Sequence, residues 1–242
     1  MEKTSAETDW AVTANRYVAY LDIMGFKDMV LRTTHDEIYK MMINIAKKIK
    51  FNANIDWMES SIKLIKATTY SDSIIIYSKD DSLESFKSLI FTVSALTCDL
   101  LTDAIPHKGA VAFGTMTLDT DNSIFFGQPL IDAYLLQEEL AFYGIILHAT
   151  SEQEMTKIGS KSPYFVKHYS CPFKNGNSLH MVIPPLFTLS QEPKHQEYME
   201  KLFLSFDKLR FKTSGYLRKY IDNTELYLNI MKKSLSSSND KS

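Results

Sequence analysis

The apolar positions of the chain alternate between short continuous runs and longer stretches at helical spacing. Residues 16–23 are apolar at nearly every position, the pattern of a central strand that is covered on both faces of a sheet. Gly25 follows this strand, and a helix is expected directly after it. A second helix is predicted from Asp36 to Phe51, where apolar residues recur every three to four positions: Ile38, Met41, Met42, Ile45 and Ile49.

A β-hairpin is predicted in the next segment. Apolar residues between Ile62 and Ala67 and again from Ile74 to Tyr77 flank the polar cluster 68–72, which is expected to form the break between two strands. A long amphipathic helix is then predicted from Leu83 to Ile105, and Pro106 ends it.

Strands and helices continue to alternate up to residue 150. A strand is predicted at Gly109–Phe113, an extended piece at Ser123–Phe126, a helix near Pro129–Ala141 and a strand at Ile145–Leu147. The complete order predicts an α+β fold: a ferredoxin-like βαββαβ core with helices on one face of the sheet.

The remaining chain predicts an extra hairpin and long helices. Strands are expected at Tyr164–Tyr169 and Leu179–Ile183, joined by the turn-rich sequence KNGN, and one or two long helices over 194–235. We therefore divide the chain into a leader at 1–15, a core domain at 16–150, an extension of the same unit at 151–235 and a polar, disordered tail at 236–242.

Composition and charge exclude several classes of function. The chain has 242 residues, 45% of them apolar and 23% charged, and a net charge of -2, so nothing in the total favours a nucleic-acid binder. No run approaches about 18 apolar residues and the N-terminus lacks an apolar signal segment, so no stable membrane association is expected. Cys98 and Cys171 have neither zinc-site nor disulfide spacing, which favours a reducing cytoplasm.

Two aspartates lie where the predicted sheet brings them together. Asp22 ends the first strand and Asp72 lies in the hairpin turn, and in a ferredoxin-like sheet these strands are neighbours. Two close carboxylates repel each other unless a cation lies between them, and oxygen ligation by two Asp side chains suits Mg²⁺ or Mn²⁺. The turn from Ile23 to Phe26 offers backbone N–H groups to a phosphate. Taken singly, each Asp also fits a cap or a turn former.

Four motifs carry a resemblance to a known family. YLDIMGF, TYSDSIII, KGAVAFG and FFGQPLIDAYLLQ occur in the order found in class III nucleotidyl cyclase catalytic domains, which the segment 16–150 resembles. More narrowly, residues 17–147 are similar to the bacterial pyrimidine cyclases of Pycsar phage-defence systems.

The resemblance implies a reaction and a set of site residues. It implies a head-to-tail homodimer with active sites at the interface, and two divalent metal ions held by Asp22, Asp72 and the Ile23 carbonyl. The ribose 3′-hydroxyl would attack the α-phosphate and pyrophosphate would leave. Gly25 and Phe26 are the expected phosphate-binding residues.

A cation is also expected at the phosphates. Lys108 is the candidate retained for this role and would act from the partner subunit, while Lys27 and Lys66 are further candidates. Lysines at strand ends are usually solvated, which is the alternative for all three. His107, next to a proline, is expected to be a turn residue.

The sequence departs from the family pattern at the positions that recognise the base and at those that stabilise the transition state. Ile131 and Leu135 stand where purine cyclases carry Asn and Arg, and Thr68 and Ile124 replace the purine-reading Lys and Asp. These replacements disfavour an adenylyl or guanylyl cyclase and fit either a pyrimidine cyclase or an inactive one. Thr68 and Tyr70 are the candidates for base recognition. Tyr134 is a further candidate, with a core aromatic as the favoured alternative.

Two functions remain open from the sequence. The first is a cytoplasmic cyclase that converts UTP, favoured over CTP, to cUMP as a messenger for a separate effector protein in anti-phage defence. The second is a non-catalytic nucleotide-binding or dimerisation module on the same fold. Retention of both Asp22 and Asp72 favours the enzyme, because an inactive module has no reason to keep two like charges together.

Overall fold

One eight-stranded sheet organises the chain in the computed structural model, which describes residues 10–53, 63–158, 166–185 and 194–239. The strands are β1 (Thr13–Ile23), β2 (Ile65–Tyr70), β3 (Ser73–Ser78), β4 (His107–Asp119), β5 (Ile124–Gly127), β6 (Ile145–Leu147), β7 (Lys167–Phe173) and β8 (Gly176–Ile183). The helices are α1 (Phe26–Arg32), α2 (His35–Ala53), α3 (Leu83–Thr102), α4 (Gln128–Glu139), α5 (Ala149–Ile158), α6 (Lys194–Lys212) and α7 (Arg218–Asn239).

The predicted α+β fold with its βαββαβ core is confirmed. The expectation that the helices lie on one face of the sheet is wrong, because α2 and α3 pack on one face and α4 packs on the other. The core strands lie in the order β2-β3-β1-β4, and each neighbouring pair is antiparallel. β6 then adds to β4 in parallel, and β8 and β7 extend the sheet further, so the C-terminal hairpin continues the same sheet. β5 pairs with the far end of β4.

Alternation along β1 separates a helix-covered face of the sheet from a second face that carries polar groups. Tyr17, Ala19, Leu21 and Ile23 are buried in the cluster that the apolar sides of α2 and α3 complete. The side chains between them point to the opposite face, because successive residues of a strand alternate. Asp22 therefore lies on the face opposite α2 and α3. Helix α4 packs on part of this face, which we call the open face.

Most predicted boundaries move by a few residues. β1 begins at Thr13, β4 extends to Asp119, and α3 ends at Thr102, because Asp103 caps it and Ala104 takes a left-handed φ of 57°. α4 ends at Glu139 and not at Ala141.

The polar break predicted at 68–72 is wrong in extent. Thr68, Thr69 and Tyr70 belong to β2, and the turn consists of Ser71 and Asp72 alone, with Ser71 at a φ of 55°. β2 is an edge strand, where polar side chains can remain in contact with water. The sequence of such a strand is therefore similar to that of a loop.

Three further expectations need correction. His107 is not a turn residue but the first residue of β4, and its side chain is fully buried. α5 was not predicted at all. α7 runs to Asn239, so most of the tail expected to be disordered is helical. Residues 1–9 of the leader, Tyr164 of the predicted hairpin and the final residues 240–242 lie outside the described part of the chain.

Within the described residues, α3 has the length and hydropathy of a possible membrane span. Most of that span is buried, and its apolar residues pack against the sheet and α2, as in the core helix of a globular protein.

Candidate active site

Backbone hydrogen bonds hold the two predicted aspartates side by side. Asp22 is the penultimate residue of β1 and lies opposite Ser73, the residue that follows Asp72. The Ile23 amide donates to the Asp72 carbonyl at 2.9 Å, and the Met24 amide donates to the Pro106 carbonyl at 2.9 Å. The positions of both carboxylates are thus set by the sheet.

The charge of Asp72 acts on the Asp22 carboxylate. Burial and, next in size, the negative charge of Asp72 raise the pKa of Asp22 to about 6. The positive charge of Lys108 partly offsets this rise, and Glu138 adds to it. The protein therefore places a half-buried carboxylate beside a second one, an arrangement that a cation would stabilise.

This donor set fits a divalent cation that takes further ligands from a substrate. Across the described ranges, no three His, Cys, Asp or Glu residues form a metal-ligating group. Two carboxylates are sufficient for Mg²⁺ or Mn²⁺, which keep waters and bind substrate phosphate oxygens. They are a poor match for zinc, which takes three or four protein ligands.

The predicted phosphate loop from Ile23 to Phe26 leaves fewer amides available than the sequence suggested. Gly25 adopts a left-handed conformation with φ 75° and ψ 12° and precedes Phe26, the first residue of α1. The amides of Ile23 and Met24 are already used, as described above. The amides from Gly25 onwards belong to the first turn of a helix, where no intrahelical acceptor exists. Lys27 is exposed next to them.

The two other predicted lysines are engaged within the chain. Lys66 lies over the Trp10 ring, with its amine 4.5 Å from the ring centroid. Lys108 is only 4% exposed, and its amine lies 3.2 Å from the Glu138 carbonyl oxygen and 3.5 Å from a carboxylate oxygen of the same residue. Burial lowers the pKa of Lys108, whereas the charges of Glu138 and Asp22 oppose that shift.

The predicted base-recognition residues lie on the open face. Tyr70 pairs with Ser73 and Thr68 pairs with Ile75, so both project to the same side of the sheet as Asp22. Tyr70 is 80% exposed at the end of β2, which leaves its ring free to contact a ligand.

Tyr20 and Ser73 are site residues that the sequence reasoning missed. The Tyr20 hydroxyl hydrogen-bonds the Ser73 hydroxyl across β1 and β3, directly beside Asp22. The charges of both aspartates contribute to raising the pKa of Tyr20, after burial. Tyr20 precedes Asp22 by two residues, and strand alternation would have placed the two on one face.

Tyr134 is exposed, so the core alternative for it is wrong. Its side chain is 44% exposed, and its ring meets that of Tyr20 edge to face at 5.4 Å. Ile131 and Leu135, on the same helix α4, are 52% and 56% exposed. Ile131, Tyr134 and Leu135 form an exposed apolar strip on one side of α4, which we call the α4 surface.

Comparisons with known proteins agree with this architecture. No family model and no curated protein matches the chain. Among solved structures, a bacterial light-regulated adenylyl cyclase matches at 9% identity and a TM-score of 0.50, over 80% of this chain and 98% of that one. The guanylate cyclase domain of RhGC from Catenaria anguillulae, in complex with GTP, matches at 13% identity and a TM-score of 0.51, over 72% and 100%.

A third structure gives the same result. The catalytic core of a rhodopsin-guanylyl cyclase with converted specificity, in complex with ATPalphaS, matches at 12% identity and a TM-score of 0.50, over 71% of this chain and 96% of that one. The chain therefore has the fold of an adenylyl or guanylyl cyclase catalytic domain. It carries an aspartate pair on the open face of that fold.

Proposed function

We propose that the protein is a metal-dependent nucleotidyl cyclase. Its substrate would be a pyrimidine ribonucleoside triphosphate, UTP in preference to CTP, and its products the 3′,5′-cyclic monophosphate and pyrophosphate. The observation that carries the proposal is the pairing of Asp22 with Asp72 on a cyclase fold, with the charge of one raising the pKa of the other. The solved structures of similar fold support cyclase activity, whereas the preference for a pyrimidine base rests on the residues discussed below.

The residues fit two divalent ions, Mn²⁺ or Mg²⁺. Asp22, Asp72 and the Ile23 carbonyl would hold them, and such ions supply Lewis-acid stabilisation to an in-line displacement at phosphorus. The chain itself fixes the ligand positions through the Ile23–Asp72 backbone hydrogen bond. The first-turn amides at Gly25 and Phe26 would bind phosphate oxygens. Lys108 would add positive charge beside Asp22 of its own chain and not, as expected from the sequence, from the partner subunit, because its amine is buried and contacts Glu138.

The choice of a pyrimidine rests on the residues that would face the base. Thr68 and Tyr70 offer a hydroxyl and an aromatic ring, without the charged pair that reads a purine in the family the chain resembles. Ile131 and Leu135 are exposed on α4, which packs on the same face of the sheet as Asp22, whereas Ile124 projects from the other face. A site that hydrogen-bonds one base discriminates strongly against a base lacking that partner.

The proposed active form is a head-to-tail homodimer. The open face carries the aspartates of one copy, and the α4 surface beside them is apolar and exposed in the single chain. An apolar surface of this kind is typical of an interaction site. The biological setting, a cytoplasmic enzyme whose cyclic product signals to a separate effector in phage defence, follows from the family resemblance.

One assay tests the proposal. The purified protein is incubated with each of the four ribonucleoside triphosphates and Mn²⁺, and cyclic products are identified by mass spectrometry. We expect cUMP from UTP as the main product, and loss of product in Asp72→Ala. Asp81→Ala, which changes an exposed aspartate in the loop that follows β3, serves as the matched control and should remain active.

The alternative function predicts a different result. A non-catalytic module would bind a nucleotide without forming a cyclic product from any of the four triphosphates. Production of a cyclic purine nucleotide would retain the enzyme class and reject the pyrimidine assignment.

A further inference from the structure

Lys108 is a buried cation on β4, directly opposite Asp22 on the neighbouring strand β1. The two residues are paired in the β1–β4 ladder, and their side chains project to the same face. Side chains at such positions are close enough for opposite charges to attract each other. An ammonium group drawn onto Asp22 would occupy the place where a metal ion must bind.

Glu138 provides the ammonium with a different partner. The Lys108 amine contacts both the carbonyl and the carboxylate of Glu138, at 3.2 Å and 3.5 Å. Both contacts come from one residue at the end of α4. They hold the amine at the end of α4, and within the described residues the ion pair of Lys108 is with Glu138 and not with Asp22.

The Glu138 carboxylate is itself held in place. The Gln137 side-chain amide donates to one carboxylate oxygen at 3.0 Å, and the Lys174 amine lies 4.0 Å from the other. Gln137 is fully buried. The position of the Glu138 carboxylate is therefore fixed by two neighbours as well as by Lys108.

The C-terminal extension anchors the backbone around Glu138. The Lys174 amide donates to the Glu139 carbonyl at 2.8 Å, and the Ala141 amide donates to the Pro172 carbonyl at 2.9 Å. The Asn223 side chain of α7 donates to the Ala141 carbonyl at 2.7 Å. The extension thus holds the end of α4 in the position from which Glu138 reaches Lys108.

We infer that Glu138 is a positioning residue of the metal site: it holds the Lys108 ammonium off Asp22, so that the Asp22 carboxylate is free to bind a divalent cation. The inference rests on the proposed function, because it assigns a role relative to the Asp22–Asp72 metal site. It also gives the C-terminal extension a function, since the extension supports the residue that keeps the site open.

Removal of the Glu138 charge tests the inference without any catalytic readout. In Glu138→Gln the ammonium keeps the backbone carbonyl but loses its counter-charge, so the charge of Asp22 attracts it more strongly and Mn²⁺ must compete with it. We expect the dissociation constant for Mn²⁺ to rise by about 10- to 100-fold, the range typical of outer residues that orient metal ligands. Free Mn²⁺ is measured by electron paramagnetic resonance on the full-length protein without nucleotide.

A second variant separates the charge effect from damage to the fold. Lys108→Met combined with Glu138→Gln removes the competing ammonium, so Mn²⁺ affinity should return to the wild-type value or exceed it. Glu139→Gln, the exposed neighbour of Glu138, is the matched control and should bind Mn²⁺ like the wild type. Thermal melting of each variant reports on folding.

Each outcome decides for or against the inference. Weak binding in Glu138→Gln that the double variant reverses supports it. Unchanged affinity in Glu138→Gln, or a loss that persists in the double variant, overturns it while the metal site stands. If the wild type binds no Mn²⁺ in a manner that depends on Asp72, the metal site fails and the inference fails with it.

Discussion

The two aspartates owe their proximity to main-chain contacts and not to their own side chains. The hydrogen bond from the Ile23 amide to the Asp72 carbonyl joins the end of β1 to the hairpin turn. Neither carboxylate is needed to form that contact. The fold therefore maintains two like charges at a short separation, and the repulsion between them is released when a cation binds.

This repulsion predicts a pH dependence for the metal-free protein. Burial and the charge of Asp72 raise the pKa of Asp22 to about 6, whereas an aspartate in an unfolded chain has a pKa of about 3.9. The folded state therefore binds the Asp22 proton more tightly than the unfolded state does. Its ionisation removes stability as the pH rises from about 4 to about 6.

Denaturant unfolding of the wild type and Asp22→Asn at pH 4.5 and pH 7.5 measures this effect. The wild type should lose stability relative to the variant at the higher pH, and added Mn²⁺ should restore it. An equal stability difference at the two pH values would contradict the assigned electrostatics of Asp22.

The sequence predicted the positions of residues that local patterns determine. Asp22 at a strand end and Asp72 in a hairpin turn follow from patterns within a few neighbours. The contacts of Lys108 could not be predicted, because its partner Glu138 lies thirty residues along the chain and meets it only after α4 packs on the sheet. His107 was misplaced for a similar reason: the polarity of a single residue does not reveal that a strand buries it.

At the scale of elements, β4 is the strand that places Lys108 opposite Asp22. Its neighbours β1 and β6 approach it closely at Gly109. A β-carbon added there would lie 2.6 Å from the Tyr20 carbonyl oxygen and 2.8 Å from the Ile145 side chain. Both neighbours belong to strands flanking β4. Only glycine permits this spacing of β1, β4 and β6.

Gly109→Ala should therefore destabilise the protein by about 1–3 kcal/mol, the usual cost of overpacking a core. Gly114→Ala, in the same strand, is the matched control. Its new β-carbon would meet only the Pro129 ring, at 3.3 Å, and should cost less. Equal melting temperatures for Gly109→Ala and the wild type would show that β1 and β4 are not held as closely as described.

A strand or helix could be predicted where the apolar pattern of its own sequence was sufficient to define it. The apolar run at 16–23 and the helical periodicity after residue 83 gave a central strand and a core helix. Thr68 to Tyr70 were assigned to a loop because β2 is an edge strand, where side chains need not be apolar. α5 was missed because its short sequence is mostly polar and only Met155 and Ser151 are buried among its described side chains.

At the scale of the molecule, the single chain leaves an apolar surface uncovered beside its site. Ile131, Tyr134 and Leu135 of the α4 surface are each more than two-fifths exposed. A head-to-tail dimer would cover this surface and bring residues of a second copy to the aspartates. This arrangement predicts that changes on the α4 surface alter assembly.

Ile131→Asp should weaken the dimer, because it would bury a charge in the interface. We expect the dissociation constant to rise by at least about tenfold, which corresponds to about 1.4 kcal/mol. Sedimentation velocity over a concentration series measures the change. Leu204→Asp, at a similarly exposed apolar position on α6, is the control and should assemble like the wild type.

The central claim is that Asp22 and Asp72 together hold divalent metal ions for a nucleoside triphosphate. The most direct measurement is the anomalous scattering of Mn²⁺ in crystals grown with a non-reactive UTP analogue. The account predicts an anomalous peak in contact with oxygens of both aspartates and of the triphosphate. A triphosphate bound elsewhere on the protein, or Mn²⁺ bound away from both carboxylates, would contradict it.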